Sequence, residues 1–230
     1  MKGWIVGLAA VMILSWAVEA KAGIIVDLFD DGNTDGWTFR EFDPRGPGEW
    51  SVENQVLVNN ASTDWNMGLL DDLFLSDQVI ETQLKTSSGY AGVSLWFHDE
   101  NNWVSAFIYP FSTGLQIQEM VDGISTPFLY DHRTGNDTWY DFRVEADSGT
   151  GELAIYLDND YILTHQTSSL YRSGQSGVWS GNAPAYFDNF RVTSDDITPV
   201  VPEPASLAIW SVLGLVGFGA AWRRKRCSRG

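Results

Sequence analysis

The side chains of this sequence best placed to do chemistry are aromatic rings and amides rather than paired charges. Trp96, His98, Trp103, Phe107 and Tyr109 lie on two stretches separated by Asp99-Glu100-Asn101-Asn102, and Gln116 and Gln118 follow shortly after. If Asp99–Asn102 is a hairpin loop, His98 faces Trp103 and every opposed pair has numbers summing to 201. One face then collects Val93, Leu95, Phe97, Val104, Ala106 and Ile108, an apolar set that belongs in a core. The opposite face pairs His98 with Trp103, Trp96 with Ser105, Ser94 with Phe107 and Gly92 with Tyr109. Large residues opposed to small ones let rings lie flat along a sheet. A flat ring takes the apolar side of a pyranose, while Gln116, Gln118 and His98 can reach its hydroxyls. The chemistry this arrangement suits is carbohydrate binding. The same pattern also reads as a second core layer, if loops such as 59–76 cover it.

A second group is acidic. Asp31-Gly32-Asn33-Thr34-Asp35-Gly36 matches the first half of a calcium loop, but the twelfth position is Phe42 instead of glutamate, so the loop is not an EF-hand. A structural calcium bound by Asp31, Asn33, Asp35 and Asp188 is the expectation, since hard oxygen donors suit that ion. The three histidines, His98, His132 and His165, show no metal-ligand spacing. The single cysteine, Cys227, excludes an intrachain disulfide and a cysteine-based zinc site.

The elements that must position these groups are strands. The 230 residues include 11 Trp, 8 Tyr and 12 Phe, enough for one packed domain once the ends are discounted. Only 19% of residues are charged and 22 are glycine, a balance that favours short strands and tight turns over a helical bundle. Seven of the 14 Lys and Arg lie in segments 1–22 and 201–230, whereas all but Glu19 and Glu203 of the 30 acidic residues lie between them. So negative a domain repels phosphate backbones, which argues against a nucleic-acid partner.

Alternation of period two recurs at Ile24–Phe29, Trp37–Phe42, Trp50–Val58, Val79–Lys85, Ala91–His98, Trp103–Tyr109, Gly114–Val121, Trp139–Ala146, Leu153–Leu157, Tyr161–His165, Gly177–Trp179 and Tyr186–Val192. Turn signals such as Asp122-Gly123 and Asp158-Asn159-Asp160 separate them. The pattern predicts an all-β, two-sheet antiparallel sandwich over residues 23–194.

Phe29-Asp30-Asp31-Gly32, Gly36-Trp37, Gly92 to Phe97 with Asp99 and Trp103, Leu157-Asp158-Asn159 and Phe187-Asp188-Asn189-Phe190-Arg191-Val192 together resemble the concanavalin A-like (laminin G-like) jelly-roll domains of secreted bacterial proteins. Glucanases of that fold carry a Glu-x-Asp-x-x-Glu strand motif that sets two carboxylates about 5–5.5 Å apart, and this sequence has no such spacing. A hydrolase drawing carboxylates from separate strands is the alternative, with Glu81, Asp99 and Glu119 as the first residues to test.

Both ends read as addresses. Met1-Lys2, the apolar run Gly3 to Val18 and Ala20-Lys21-Ala22 form a secretory signal over residues 1–22, with cleavage after Ala22. At the other end a linker over 195–204 carries Val201-Pro202-Glu203-Pro204. An uncharged stretch, Ala205 to Trp222, follows as a transmembrane helix, and Arg223-Arg224-Lys225-Arg226 opens the basic cytoplasmic tail over 223–230. The prolines keep the motif extended and open to a protease. This layout resembles the PEP-CTERM sorting signal of Gram-negative bacteria. The resemblance implies an exosortase-type membrane protease as partner, transient anchoring in the inner membrane, and release to the cell surface or exopolysaccharide matrix; a plain membrane anchor is the alternative. The sequence therefore reads as an exported, non-catalytic sandwich that binds polysaccharide or serves structurally in the extracellular matrix.

Overall fold

A computed structural model describes residues 22–42, 48–61, 65–112, 114–182 and 184–197. The expectations placed on Met1–Lys21 and on 198–230, including Val201, Pro202, Glu203, Pro204 and Arg223–Arg226, lie outside the described residues.

The strands are β1 (Gly23–Asp27), β2 (Trp37–Glu41), β3 (Trp50–Glu53), β4 (Val56–Asn59), β5 (Asn66–Leu70), β6 (Gln78–Thr86), β7 (Tyr90–Asp99) and β8 (Asn102–Tyr109). They continue as β9 (Gly114–Val121), β10 (Ile124–Asp131), β11 (Tyr140–Asp147), β12 (Glu152–Leu157), β13 (Asp160–Gln166), β14 (Gln175–Gly181) and β15 (Ala185–Ser194). Sheet I runs β13-β12-β11-β6-β15-β4-β3, with β1 also paired to β15; sheet II runs β10-β9-β8-β7-β14-β5-β2. All the pairings are antiparallel. The predicted all-β, two-sheet antiparallel sandwich is therefore the observed architecture, and the described residues contain no helix.

The turn chemistry explains the hairpins. Asn54-Gln55 and Asp158-Asn159 each place two successive residues at positive φ, as does Asp122-Gly123. Two such residues make the type I′ turns whose twist matches that of paired strands. Asn54-Gln55 splits the predicted Trp50–Val58 strand into β3 and β4. Two strands escape the periodic pattern. Strand β10 is an edge carrying Pro127 and is mostly exposed, as suits a residue that cannot donate to a ladder. Strand β5 is buried along its whole length, so it shows no alternation.

Sheet I alternates cleanly. Ile80 and Leu84 of β6, Phe142 and Val144 of β11, and Leu153 and Ile155 of β12 turn inward to the main core, where Val93, Leu95, Val104, Ala106, Ile108 and Ile117 of sheet II meet them. Sheet II behaves differently: β7 is buried without a break from Ala91 to Phe97, and β8 from Asn102 to Ile108. An antiparallel sheet with one solvated face alternates apolar and polar residues. Unbroken burial on β7 and β8 therefore means that something covers the outside of sheet II as well.

Candidate functional site

What covers sheet II is a layer of side chains supplied largely by its own strands. Met67, Leu69, Phe97, Trp103, Phe107, Met120 and Trp179 form a second buried cluster, against which Phe42, Trp65, Tyr90 and Tyr109 pack half-buried. Trp103 and Trp179 lie 4.8 Å apart between ring centroids, Trp65 stands edge-on to Trp103 at 6.0 Å, and Phe107 lies 6.1 Å from Trp179. The Arg40 guanidinium sits 5.2 Å over the Phe97 ring. Small residues make room beneath the rings. Gly92 stands between Trp179 of β14 and Phe107 of β8, and a Cβ added there would come within 2.3 Å of the Phe107 Cβ. Ser94 and Ser105 face one another in the next row.

The hairpin arithmetic holds at the turn and fails beyond it. Asp99 opposes Asn102, as predicted, and Asp99 Oδ1 accepts from Asn101 N at 2.8 Å and Asn102 Nδ2 at 3.0 Å. Between Leu95 and Asp99 the register shifts, so the pairs further from the turn sum to 199: Leu95 with Val104, Val93 with Ala106, Gly92 with Phe107. The shift is a bulge centred on Trp96, whose φ is 50°. Because it moves the register by two, the faces of Val93, Leu95, Val104, Ala106 and Ile108 survive. Trp96 and Phe97 do not keep theirs. Trp96 enters the main core, fully buried, and its Nε1 donates to Ser76 O at 2.7 Å; Phe97 joins the outer layer. Both expectations for these two residues are thus corrected by one left-handed residue.

The other residues predicted to bind sugar are dispersed in depth. Trp103 and Phe107 lie in the outer layer but are covered, at 0% and 2% exposure. The reading of this face as a second core layer therefore applies to these two rings. Tyr109 remains half-buried on the rim, edge-on to Tyr90 at 4.5 Å. Gln116 Nε2 donates to Gln118 Oε1 at 3.0 Å, and Gln118 Nε2 reaches Ser125 Oγ at 2.5 Å. His98 leaves the group altogether and stacks on Tyr171 at 4.6 Å. Trp65, which no periodic pattern singles out, is the rim residue touching both Trp103 and Trp179. Three polar atoms in or beside the layer, Ser105 Oγ, Trp179 Nε1 and Arg40 Nε, are buried without a hydrogen-bond partner.

The candidate carboxylates do not converge. Glu81 lies on the outer face of sheet I, where Arg143 and Arg191 approach it at 3.7 Å. Asp99 caps the β7–β8 turn. Glu119 points the other way, into the sandwich, fully buried. There it accepts from His165 Nε2 at 2.6 Å, from Ser168 N at 3.0 Å and from the Ser168 hydroxyl. Because the carboxylate is the acceptor at Nε2, the second ring nitrogen, Nδ1, can take the Tyr130 hydroxyl at 2.8 Å. Burial pushes the Glu119 carboxyl up, but the hydrogen bonds from His165 and Ser168 outweigh it and hold the group below the ordinary glutamate range. Burial, and then the Glu119 charge, raise the Tyr130 phenol. The chain Ser168–Glu119–His165–Tyr130 joins β9 and β10 of one sheet to β13 of the other.

In the acidic loop, Asp31 Oδ1 accepts from Asn33 N at 3.1 Å and Asn33 Oδ1 from Asp35 N at 2.7 Å. Asp31 and Asp35 line one surface pocket with Asp27 and Asp71; Asp188 is not among its lining residues. Among the described residues no three His, Cys, Asp or Glu side chains gather as a metal-binding group.

No family profile matches the chain, and no curated protein matches it. Solved structures do match. The carbohydrate-binding module CBM66 from Bacillus subtilis superposes with a TM-score of 0.59 at 18% identity, over 69% of this chain and 96% of that one. A Bacillus subtilis protein of unknown function with a galectin-like fold gives 0.57 at 10% identity, over 76% and 97%. The Bacillus licheniformis beta-glucanase gives 0.52 at 12% identity, over 75% and 98%. At these identities the likeness is one of fold, a jelly roll that serves both carbohydrate-binding modules and glycoside hydrolases.

Proposed function

We propose that this chain is an exported, non-catalytic protein that binds polysaccharide through the outer face of sheet II and serves in the extracellular matrix. The observation that carries the reading is the apolar outer layer. The outside of a two-sheet sandwich is normally polar, whereas here rings and methionines fill it, with Phe42, Trp65, Tyr90 and Tyr109 half-exposed along its rim. Partly exposed rings along the rim of an apolar layer, with the Gln116 and Gln118 amides beside them, suit a ligand that brings both CH faces and hydroxyls. The same fold in a carbohydrate-binding module supports the reading.

The non-catalytic part rests on charge. In the register of β5, β7, β8, β9 and β14, the outward residues Met67, Leu69, Gly92, Ser94, Trp103, Ser105, Phe107, Gln116, Gln118, Met120, Gly177 and Trp179 include no carboxylate. Glycoside hydrolysis by the usual route needs two.

The test is binding of the purified chain to a panel of neutral polysaccharides, with Trp65→Ala as the variant. Loss of one stacked ring should weaken binding by about 1–3 kcal/mol, taking base–aromatic stacking as the analogue. Release of reducing sugar from any polymer in the panel would overturn the non-catalytic assignment. The sorting proposal stands on the terminal motifs and is checked by intact mass, which should show loss of Met1–Ala22 and of the segment after Pro202-Glu203-Pro204. A structural calcium bridging the Asp31–Asp35 loop and Asp188 is a further part of the proposal.

A further inference from the structure

Sheet I also presents an outward face that no core or site uses, and its side chains are ordered in three rows by the register of β11, β6 and β15. In the first row Lys85 lies beside Tyr186 of β15 and next to Trp139, the residue preceding β11. Its Nζ sits 4.4 Å over the Tyr186 ring and 5.1 Å over that of Trp139, and Trp139 is 41% exposed. In the second row Asn189 Nδ2 donates to Gln83 Oε1 at 3.0 Å and Gln83 Nε2 donates to Asp141 Oδ1 at 3.0 Å. In the third row Glu81 lies between Arg191 and Arg143, and the Arg143 guanidinium covers the Tyr156 ring at 4.7 Å. Gln83, Asp141 and Asn189, with Glu81, Arg143 and Asn159, line one cavity of about 180 Å³ between the rows.

We propose that this face is a second glycan-binding surface, for a neutral oligosaccharide segment laid along β6 and β11 from the first row to the third. Rings stand at both ends of the track, and planar amide and carboxylate groups stand between them. Trp139 and Tyr156 are separated by the four residues of β11 that carry the chain from row one to row three, about 14 Å of strand. The exposed Trp139 ring at one end, the Arg143 guanidinium laid over Tyr156 at the other and the hydrogen-bonding groups between them match the alternating apolar faces and hydroxyls of a short sugar chain. Charge points to a neutral ligand: on the track itself Lys85, Arg143 and Arg191 offset Glu81, Asp141 and Asp188, leaving no net positive charge to attract an anion, while the chain as a whole, at a formal net charge of -16, repels an anionic glycan. With sheet II taking a second chain, as proposed above, one domain would hold two polysaccharide strands on opposite faces and cross-link them.

The experiment uses the purified full chain, neutral dextran, arabinoxylan and levan as probes, and polygalacturonate as the acidic control. Trp139→Ala and Gln83→Ala are compared with Trp65→Ala, each checked for an unchanged melting curve. The expected result is two binding equivalents per chain and cross-linking of a long neutral polymer, seen as rising light scattering. Trp139→Ala and Gln83→Ala should each remove one equivalent or weaken it about tenfold or more, and should abolish cross-linking. Trp65→Ala should spare the Trp139 equivalent. Unchanged stoichiometry and scattering in Trp139→Ala and Gln83→Ala would overturn the second face, and if Trp65→Ala still loses binding the sheet II reading stands. Preference for polygalacturonate would overturn the neutral class. No saturable binding to any neutral polymer would overturn both faces.

Discussion

Replacing Glu119 by glutamine tests the buried chain that joins the two sheets. The variant keeps size and shape and leaves the Oε1 carbonyl for His165 Nε2, now 2.6 Å away. At the Oε2 position an NH₂ group would face the Ser168 N–H and hydroxyl, which now donate to a carboxylate. Hydrogen bonds to a charged group contribute about 1.5–3 kcal/mol each. Ser168 is exposed and can turn its hydroxyl to water, so about 2–3 kcal/mol is the expected loss at pH 7 for Glu119→Gln. For a domain of this size that lowers the melting temperature by about 4–12 °C. The pH dependence carries the sharper sign. The Glu119 carboxyl is held below its ordinary value, so its contribution is fully present above about pH 4.3 and fades as pH falls through the lower folded value. Below that value the protonated carboxyl resembles the amide, and the gap between the two proteins should close. Asp147 and Asp196, whose carboxyls are also held low by hydrogen bonds, titrate alike in both and cancel. Melting curves from pH 7 down to pH 3 decide it: a gap of constant size across that range would refute the reasoning.

Trp96→Ala should cost about 3–5 kcal/mol, as for a large ring removed from a core, and leave glycan binding per folded molecule unchanged. Phe97→Ala should disturb the outer layer and with it the Trp65 face; equal binding by both variants would contradict the swap at the bulge. Gly177→Ala places a Cβ 1.9 Å from Gly68 O on the neighbouring strand, so the backbone must shift and stability should fall by about 1–3 kcal/mol in denaturant titration. If calcium bridges the Asp31–Asp35 loop and Asp188, a chelator should lower the melting temperature and excess calcium restore it, since a ligand bound by the native state stabilises it by mass action. Identical curves would remove the ion.

Much of the fold was legible because sheet I obeys the rule that sequence reading depends on. Residues of β6, β11, β12 and β15 alternate because one face meets the core and the other meets water. Sheet II defeats the rule where it matters, since its outer layer removes the polar face from β5, β7 and β8. Strand β5 read as loop for that reason. The bulge could not be read at all: nothing in Leu95-Trp96-Phe97 marks which aromatic turns inward, because either ring satisfies the core. Glu119 and His165 were both noticed, but as a stray carboxylate and a stray histidine. A clue lay in the spacing, with Glu119 in phase with the inward-facing Leu115 and Ile117 of β9. An acid on an apolar stripe needs a partner, and which partner is decided only when the sheets stack.

The packing of Trp65, Trp103 and Trp179 gives the molecule an optical handle on its own proposed binding face. Transition dipoles on indoles 4.8 to 6.5 Å apart couple strongly enough to split their absorption into a paired circular-dichroism band and to pass excitation from one ring to the next. Emission from the group therefore reports the environment of whichever indole meets solvent, and Trp65 is the half-exposed member. A sugar ring laid on Trp65 would shift that emission and alter the couplet with no label attached, whereas a ligand on Trp139, across the sandwich, would leave the couplet unchanged. Occupancy of the two faces can thus be followed separately in one cuvette.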